Sequence, residues 1–271
     1  MQNSFGQRVI PDYRFDLAEV IVSFNADFLG TWISPIEYAS QYSKMRVVDF
    51  EKPKMSRHFQ IESQMSLTGS NADHRILVKP SMQGNAIVAL YNLIASKTGA
   101  TVLSGGEVSE KVKDALSKMA DSLIASKGKS LIVCGNNSLE QQTIVLGINN
   151  LLGNIGSTIS FNRVSYQRQG NETDLIPLVN EMNDSKVDAL IIWNANPCYD
   201  TNIADKFRDA MSKTKIRISF NAILDETTAV CTHSAPDHHY LESWGDVEAK
   251  RGLYTLIQPT INPIFNTRQS E

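Results

Sequence analysis

The feature of this sequence that most constrains its fold is an apolar run at residues 187–197 that ends abruptly in small and polar residues. A short apolar run bounded by Asn and Pro is typical of a buried strand of a parallel sheet that leads into a turn. Residues 18–27 align with this run without a gap, and weaker copies occur at residues 131–137 and 216–222. The alignment superimposes two pairs of polar residues, Asn25 on Asn194 and Asp27 on Asn196. Ligands of open α/β sheets bind beyond the carboxyl ends of the strands, so the repeat predicts that these polar residues line a crevice.

Strand and helix patterns alternate along most of the chain. Strands are predicted at residues 18–27, 75–79, 130–134, 187–197 and 216–220, and helices at 34–44, 81–96, 109–126, 138–152, from 174 onward and around 203–211. This alternation predicts an α/β protein with doubly wound, mostly parallel sheets and helices on both faces. A chain of 271 residues is long enough for two lobes, and a stretch rich in Gly, Ser and Thr after Gly153 places their boundary near residue 160. The predicted lobes are residues 1–160 and 161–271.

Three local patterns predict finer detail. Ser34, Pro35 and Glu37 have the spacing of a capping box with a proline at the first helical position. Residues 55–63 alternate poorly and precede turn residues, so they are expected to form a loop. Gly153 follows a helical pattern and is expected to end that helix.

Composition excludes several classes of protein. The net charge of −3 is nearly balanced, which argues against a nucleic-acid or anionic-membrane binder because such proteins usually carry a basic face. No apolar segment approaches the roughly twenty residues that span a bilayer, and residues 1–15 lack the pattern of a signal peptide. The three cysteines, Cys134, Cys198 and Cys231, are too few and too widely spaced for a four-thiolate cluster, and they are expected to be buried thiols.

The densest group of ionisable residues lies at 232–242. His238 and Glu242 can share a helical face, as metal ligands do, but the H-E-x-x-H pattern is absent and hydrogen bonding at the surface is the competing interpretation. Asp237 beside His238 has the chemistry of an acid–base pair, although no nucleophile is fixed beside them. The roles of His58, His233, His238 and His239 stay open at this stage.

Three further motifs could bind a ligand, but each also has a purely structural interpretation. Gly105-Gly106 and Gly153 with Gly156 lack the spacing of dinucleotide or Walker loops. The pair Arg57-His58 beside Phe59 suits an anion, but a solvated loop is the favoured explanation. The tryptophans could line a pocket or pack in the core, and they are Trp32, Trp193 and Trp244.

Five phrases, taken in order, resemble a known family. They lie at residues 15–27, 71–80, 151–156, 189–197 and 225–252 and together cover nearly the whole chain. They are similar to elements of the molybdopterin oxidoreductases of the dimethyl sulfoxide reductase and formate dehydrogenase type. Residues 27–32, 55–58, 66–69 and 235–244 further resemble one branch of that family, the large iron–sulfur subunit of bacterial alternative complex III.

The resemblance implies a division of the chain and a cellular setting. Residues 1–160 would be the family's third domain, and residues 161–271 the second half of its second domain. Partner subunits would belong to a membrane-bound respiratory complex, with this chain bound peripherally on the periplasmic side of the bacterial inner membrane. The family's cofactors are molybdenum bis-pterin guanine dinucleotide and iron–sulfur clusters, the latter expected elsewhere in the full chain.

The same resemblance implies that this fragment lacks the cofactor. The crevice would be lined by Asn25, Asp27, Ser81, Gln83, Asn194, Asn196 and Glu242. Active relatives have glycine and aspartate where Ser81 and Gln83 stand, and the aspartate hydrogen-bonds the guanine edge. Glutamine lacks that charge, and a mismatched buried polar group costs about 1–3 kcal/mol. The metal ligand normally precedes the first strand, where only Ser4 stands.

The favoured hypothesis is therefore a cofactor-free scaffold within a quinol-oxidising iron–sulfur complex of the alternative complex III type. The first alternative is a catalytic molybdenum bis-pterin oxidoreductase whose cluster and metal ligand lie outside this chain. The second is a generic α/β module that binds a nucleotide or another small molecule.

Overall fold

The computed structural model describes residues 6–48, 51, 53–167 and 169–270. Within these residues the chain forms two compact units. The first unit is Pro11–Val164, and the second contains Ser165–Glu271 together with the described residues up to Ile10. The predicted lobes, and their assignment to the third and second domains of the resembled family, stay predictions.

The first unit alternates strands with helices. Its elements are β1 (Ile10–Tyr13), β2 (Val20–Phe24), α1 (Pro35–Lys44), β3 (Arg57–Glu62), α2 (Leu67–Ser70), β4 (His74–Leu77), α3 (Gln83–Thr98), α4 (Glu110–Ala125), β5 (Ser130–Cys134), α5 (Leu139–Leu151) and β6 (Ile159–Ser165). Four strands form a parallel sheet in the order β4-β3-β2-β5, while β1 pairs with β6. The predicted α/β class is confirmed.

Helices cover both faces of the four-stranded sheet. Alternate residues of β2 point to opposite faces, so Val22 and Ile21 enter different cores. Val22 packs with apolar residues of α3, α4 and α5, whereas Ile21 packs with Tyr38 and Tyr42 of α1. This two-sided burial explains why β2 and β5 are apolar at nearly every position.

Two local predictions are wrong and one is confirmed. Arg57–Glu62 is a central strand and not a loop, because its polar residues alternate with Phe59 and Ile61. Helix α1 begins at Pro35 as expected, but the Ser34 side chain makes no capping hydrogen bond, and Glu37 accepts one from Gln41 at 3.1 Å. Gly153 ends α5 with a φ of 67°, which glycine adopts without a steric penalty.

The second unit has a smaller sheet. Its elements are α6 (Leu175–Asn183), β7 (Ala189–Ile192), α7 (Pro197–Asp200), α8 (Ala204–Ser212), β8 (Ile216–Ser219), β9 (His233–Ser234), β10 (Gly245–Lys250) and β11 (Leu253–Ile257). Strands β7, β8 and β9 are parallel, and β10 and β11 form an antiparallel hairpin. Within the described part of this unit, one core forms where Ile192 and Leu190 pack with Val179 of α6 and Phe207 of α8.

The opposite face of this smaller sheet is apolar, and the described residues leave it exposed. Ile191 is 61% exposed and Ile216 is 46% exposed, although both lie on regular strands. Trp193 follows β7 and is 52% exposed. Exposed apolar side chains grouped on one face of a sheet are typical of a contact site for further protein.

Among the described residues, no helix has the length and apolar character required to cross a membrane.

Candidate functional site

The carboxyl ends of four strands lie along one edge of the first sheet, because β2, β3, β4 and β5 run parallel. The chain turns there at Asn25, whose φ of 53° lies in the left-handed region. Its amide donates to the Ile61 carbonyl at 2.8 Å. Gly135 approaches so closely that a Cβ atom would lie 2.2 Å from the Asn25 carbonyl oxygen. The Asn25 side chain is exposed and makes no hydrogen bond within the described part of the chain.

The next residues hold this turn through side-chain hydrogen bonds. Oδ1 of Asp27 accepts from the Thr68 amide at 3.0 Å and from the Thr68 hydroxyl at 2.7 Å. The same hydroxyl accepts from the Leu29 amide at 2.9 Å. Ser23 fixes both backbone polar groups of Ala26: its hydroxyl accepts from the amide at 3.2 Å and donates to the carbonyl at 2.9 Å. Asp27 therefore positions the backbone of the turn.

The second unit repeats this arrangement after β7. Asn194 is exposed and has a φ of 49°. Oδ1 of Asn196 accepts from the Thr227 amide at 3.2 Å and from its hydroxyl at 2.7 Å. The Thr227 hydroxyl accepts from the Cys198 amide at 3.0 Å. Asn221 takes the place of Ser23: it accepts from the Ala195 amide at 3.3 Å and donates to the Ala195 carbonyl at 2.8 Å.

The repeated sequence thus folds into the same turn twice. In each unit a left-handed asparagine is followed by an alanine whose backbone is fixed by a side chain, and then by a polar residue that binds a threonine. Asp27 and Asn196 direct their Oδ1 atoms into the turns. Asn25 and Asn194 are the members of the repeat whose amide groups are exposed to a ligand or partner.

Ser81 and Gln83 differ in their exposure to solvent. Ser81 is exposed in the short turn Pro80–Met82, while Gln83 begins α3 and is only 7% exposed. Its buried Nε2 atom has no hydrogen-bond partner among the described residues, and neither has Oε1 of Gln141 at the start of α5. A side chain inside the fold cannot reach the edge of a nucleotide in a crevice, so Gln83 does not fit the guanine contact that the resemblance implies.

Glu242 and the neighbouring histidines stabilise local structure. Glu242 is 8% exposed, and its carboxylate accepts from the Ile264 amide at 3.0 Å and from the His239 amide at 3.2 Å. These backbone hydrogen bonds, that of Ile264 first, lower the pKa of the carboxyl group. His238 contacts Thr267 through Nδ1 at 2.6 Å, and His233 contacts Thr232 at 2.9 Å.

The residue types that bind metal ions do not cluster among the described residues. Within residues 6–48, 51, 53–167 and 169–270, no three His, Cys, Asp or Glu side chains could together hold a metal ion. Asp237 instead accepts from the Trp193 indole at 2.9 Å and from the His238 amide at 2.8 Å. Ser4, the one candidate metal ligand before the first strand, lies outside the described residues.

Sequence reasoning missed a buried polar row on β3. His58, Gln60 and Glu62 are all less than 4% exposed and point to the same face of the sheet. The row ends at Arg75, whose Nε donates to Glu62 at 2.6 Å. Burial raises the pKa of Glu62, but hydrogen bonds from Arg75 and from the Ser66 hydroxyl outweigh it, and the net pKa is lowered. The alternation of residues 58, 60 and 62 was the signal that could have revealed this strand.

The fold and its repeated turns define an α/β protein with parallel sheets. A search of protein-family models gives no match. The chain is 31% identical over 84 residues to the menaquinone reductase molybdopterin-binding-like subunit of Nitratidesulfovibrio vulgaris strain Hildenborough. The match covers 30% of this chain and 12% of that protein.

Solved structures show the same fold over nearly the whole chain. Acetylene hydratase from Pelobacter acetylenicus superimposes with a TM-score of 0.60 at 8% sequence identity. The superposition covers 97% of this chain and 47% of that chain, so the protein spans about half the length of this neighbour. The sequence relative and the shared fold both support the resemblance of this chain to molybdopterin oxidoreductases.

Proposed function

We propose that this chain is a cofactor-free, molybdopterin-oxidoreductase-like scaffold in a quinol-oxidising, iron–sulfur electron-transfer complex of the alternative complex III type. The name of the sequence relative, a menaquinone reductase subunit described as molybdopterin-binding-like, supports a quinone-related role. The complex would lie on the periplasmic side of the bacterial inner membrane. Molybdenum-pterin and iron–sulfur cofactors, where the complex has them, would be bound by other parts of it.

The observation that carries the cofactor-free proposal is the burial of Gln83. The side chain that would have to meet the pterin nucleotide is enclosed at the first residue of α3. The repeated turns give further support, since the Oδ1 atoms of Asp27 and Asn196 are already bound by Thr68 and Thr227. Their hydrogen-bonding capacity is largely used within the protein.

The scaffold role rests on the uncovered face of the smaller sheet. Ile191 and Ile216 present apolar surface that water solvates poorly, and a further protein segment or subunit would bury it. A scaffold needs such contacts but does not need a reactive centre.

Two measurements on the full-length protein test these proposals. Elemental analysis for molybdenum and tungsten, with fluorescence detection of released oxidised pterin, should find neither in stoichiometric amount. Stoichiometric metal with bound pterin would instead support the catalytic oxidoreductase. Thermal-shift screening with nucleotides should give no stabilisation, whereas a specific nucleotide that raises the melting temperature would favour the small-molecule-binding module.

Assembly tests the scaffold role separately. Ile191→Asp should leave the fold intact, because the side chain is already exposed, but should prevent recovery of the intact complex from membranes. Ile36→Asp is the matched control, since Ile36 is 88% exposed on α1 and outside the proposed contact. Recovery of an intact complex with Ile191→Asp would contradict the assignment of this face.

A further inference from the structure

A chain of aromatic rings runs through the first unit on the α1 side of the sheet. The rings follow one another in the order Trp32, Tyr38, Phe15, Phe28 and Tyr42. The distances between successive ring centroids in that order are 5.7, 4.9, 4.3 and 5.6 Å. Trp32 is partly exposed, whereas the other four rings are buried. This aromatic chain therefore connects the surface of the first unit to Tyr42 in its interior.

The hydroxyl group of Tyr42 meets the buried polar row of β3. It lies 3.2 Å from Nδ1 of His58, and also 3.2 Å from the Asn71 carbonyl oxygen. Nε2 of His58 lies 3.4 Å from Oε1 of Gln60, and Nε2 of Gln60 donates to Glu62 at 3.1 Å. The row thus links the phenol to a carboxylate across the face of the sheet.

The chemistry of the groups fixes the direction of these hydrogen bonds. An ionised Glu62 can only accept, so Gln60 donates its amide N–H to it and turns its oxygen toward His58. That oxygen accepts from the Nε2–H of His58. The neutral imidazole then has its lone pair on Nδ1, so Nδ1 and the Asn71 carbonyl oxygen are both acceptors for the single O–H of Tyr42, each at 3.2 Å.

Tyr38 provides an internal comparison. It lies one helical turn before Tyr42 on α1, in the same aromatic cluster, and it is 2% exposed against 7% for Tyr42. No hydrogen bond to the Tyr38 hydroxyl group is present among the described residues. Of these two buried phenols, only Tyr42 has a base within the reach that proton transfer requires.

We propose that Tyr42 and His58 form a redox-active pair that is connected to the surface by the aromatic chain ending at Trp32. A one-electron oxidant, such as a radical formed by partial reduction of oxygen, takes an electron at Trp32, and Tyr42 replaces it through the intervening rings. The O–H bond of Tyr42 breaks and an N–H bond forms at Nδ1 of His58. The products are a neutral tyrosyl radical, an imidazolium and the reduced oxidant, so one electron and one proton are accounted for.

Burial lowers the pKa of His58 and so disfavours the imidazolium that forms, and nearby carboxylates offset this effect in part. The negative charges of Asp73 and Glu62 both raise the pKa of His58. Asp73 also accepts a hydrogen bond from the His58 backbone amide at 2.7 Å. The Arg46 guanidinium, paired with Asp73 at 2.7 Å, opposes this effect. This activity does not depend on the scaffold role, because every group in it belongs to the first unit.

Photochemical oxidation of the full-length protein tests the proposal. A ruthenium polypyridyl complex with persulfate serves as the one-electron oxidant, and electron paramagnetic resonance detects the tyrosyl radical. The background carries Tyr199→Phe, Tyr240→Phe and Tyr254→Phe, because these three side chains are at least 66% exposed. The expected result is a persistent tyrosyl radical that forms more slowly in heavy water.

Matched variants locate the radical. Tyr42→Phe should abolish the persistent signal, whereas Tyr38→Phe, the same change at a similarly buried site, should leave a persistent signal. His58→Gln keeps a polar amide in the row but removes the base, and it should slow radical formation by about a hundredfold. A persistent signal in folded Tyr42→Phe, or an unchanged rate in His58→Gln, would overturn the proposal.

Discussion

Oδ1 of Asp27 accepts two hydrogen bonds from Thr68, one from the backbone amide at 3.0 Å and one from the hydroxyl at 2.7 Å. Asn196 makes the same pair with Thr227, at 3.2 Å and 2.7 Å. A carboxylate in one unit and a neutral amide in the other thus perform the same task. A charge is therefore not needed for one oxygen atom to accept both hydrogen bonds of the threonine.

The first prediction concerns the threonine hydroxyl. Thr68→Val keeps the shape of the side chain but removes the donor to Asp27 and the acceptor for the Leu29 amide. We expect the free energy of unfolding to fall by about 2 kcal/mol. Urea denaturation measures the change, with Thr68→Ser as the control that retains the hydroxyl. Equal stability of the valine and serine variants would show that the hydroxyl is not required.

The second prediction concerns the left-handed backbone at Asn25. Alanine is strained at a φ of 53°, whereas glycine is not. Asn25→Ala should cost about 1 kcal/mol of unfolding free energy, and Asn25→Gly should stay within about 0.5 kcal/mol of the native protein. Denaturation in urea distinguishes the two. If alanine is tolerated as well as glycine, the turn does not hold this backbone conformation in solution.

The third prediction concerns the approach of Gly135 to the same turn. A Cβ atom at Gly135 would lie 2.2 Å from the Asn25 carbonyl oxygen and 2.9 Å from Cα of Ala26. Both are backbone atoms that cannot rotate away, so Gly135→Ala should destabilise the protein by about 2 kcal/mol.

Gly84 on α3 provides the control for this change. The nearest atom to a Cβ there is Nε2 of Gln141 at 3.5 Å, an ordinary contact. Gly84→Ala should therefore be neutral or stabilising by about 0.5 kcal/mol. Similar losses in thermal unfolding of both variants would refute the steric argument.

The fourth prediction concerns pH. Burial lowers the pKa of His58 from 6.5 to about 4, and its hydrogen bond with Gln60 opposes this shift only in part. Above pH 6.5 the imidazole is neutral in both states and the protein has its full stability. As the pH falls from 6.5 toward 4, the unfolded chain binds a proton that the folded chain does not, so the free energy of unfolding decreases.

Urea midpoints measured between about pH 7.5 and pH 5 test this, because most carboxylates stay ionised in that range. His58→Gln should flatten the decline, while His233→Gln, at an exposed residue of β9, should leave it unchanged. A decline that is equally steep without His58 would assign the pH dependence to other groups.

Hydrophobic periodicity predicted most of the first unit. The boundaries of α1, α3, α4, β5 and α5 lie within two residues of the predicted ones, because apolar spacing along a segment directly reports which side is buried. It failed at β3, where three of the inward residues are His58, Gln60 and Glu62. A strand with a buried polar face lacks the apolar alternation by which strands are recognised in a sequence, so it was interpreted as a loop.

The sequence by itself determined that two strands end in the same turn, since the copies at residues 18–27 and 187–197 are visible in the printed chain. Only the tertiary structure decided which threonines hold those turns, because Thr68 and Thr227 lie 41 and 31 residues beyond their partners. It also decided that Gln83 is enclosed and that Tyr42 meets His58. Local spacing reports whether a side chain is buried, but the partner of a buried polar group depends on which distant elements pack against it.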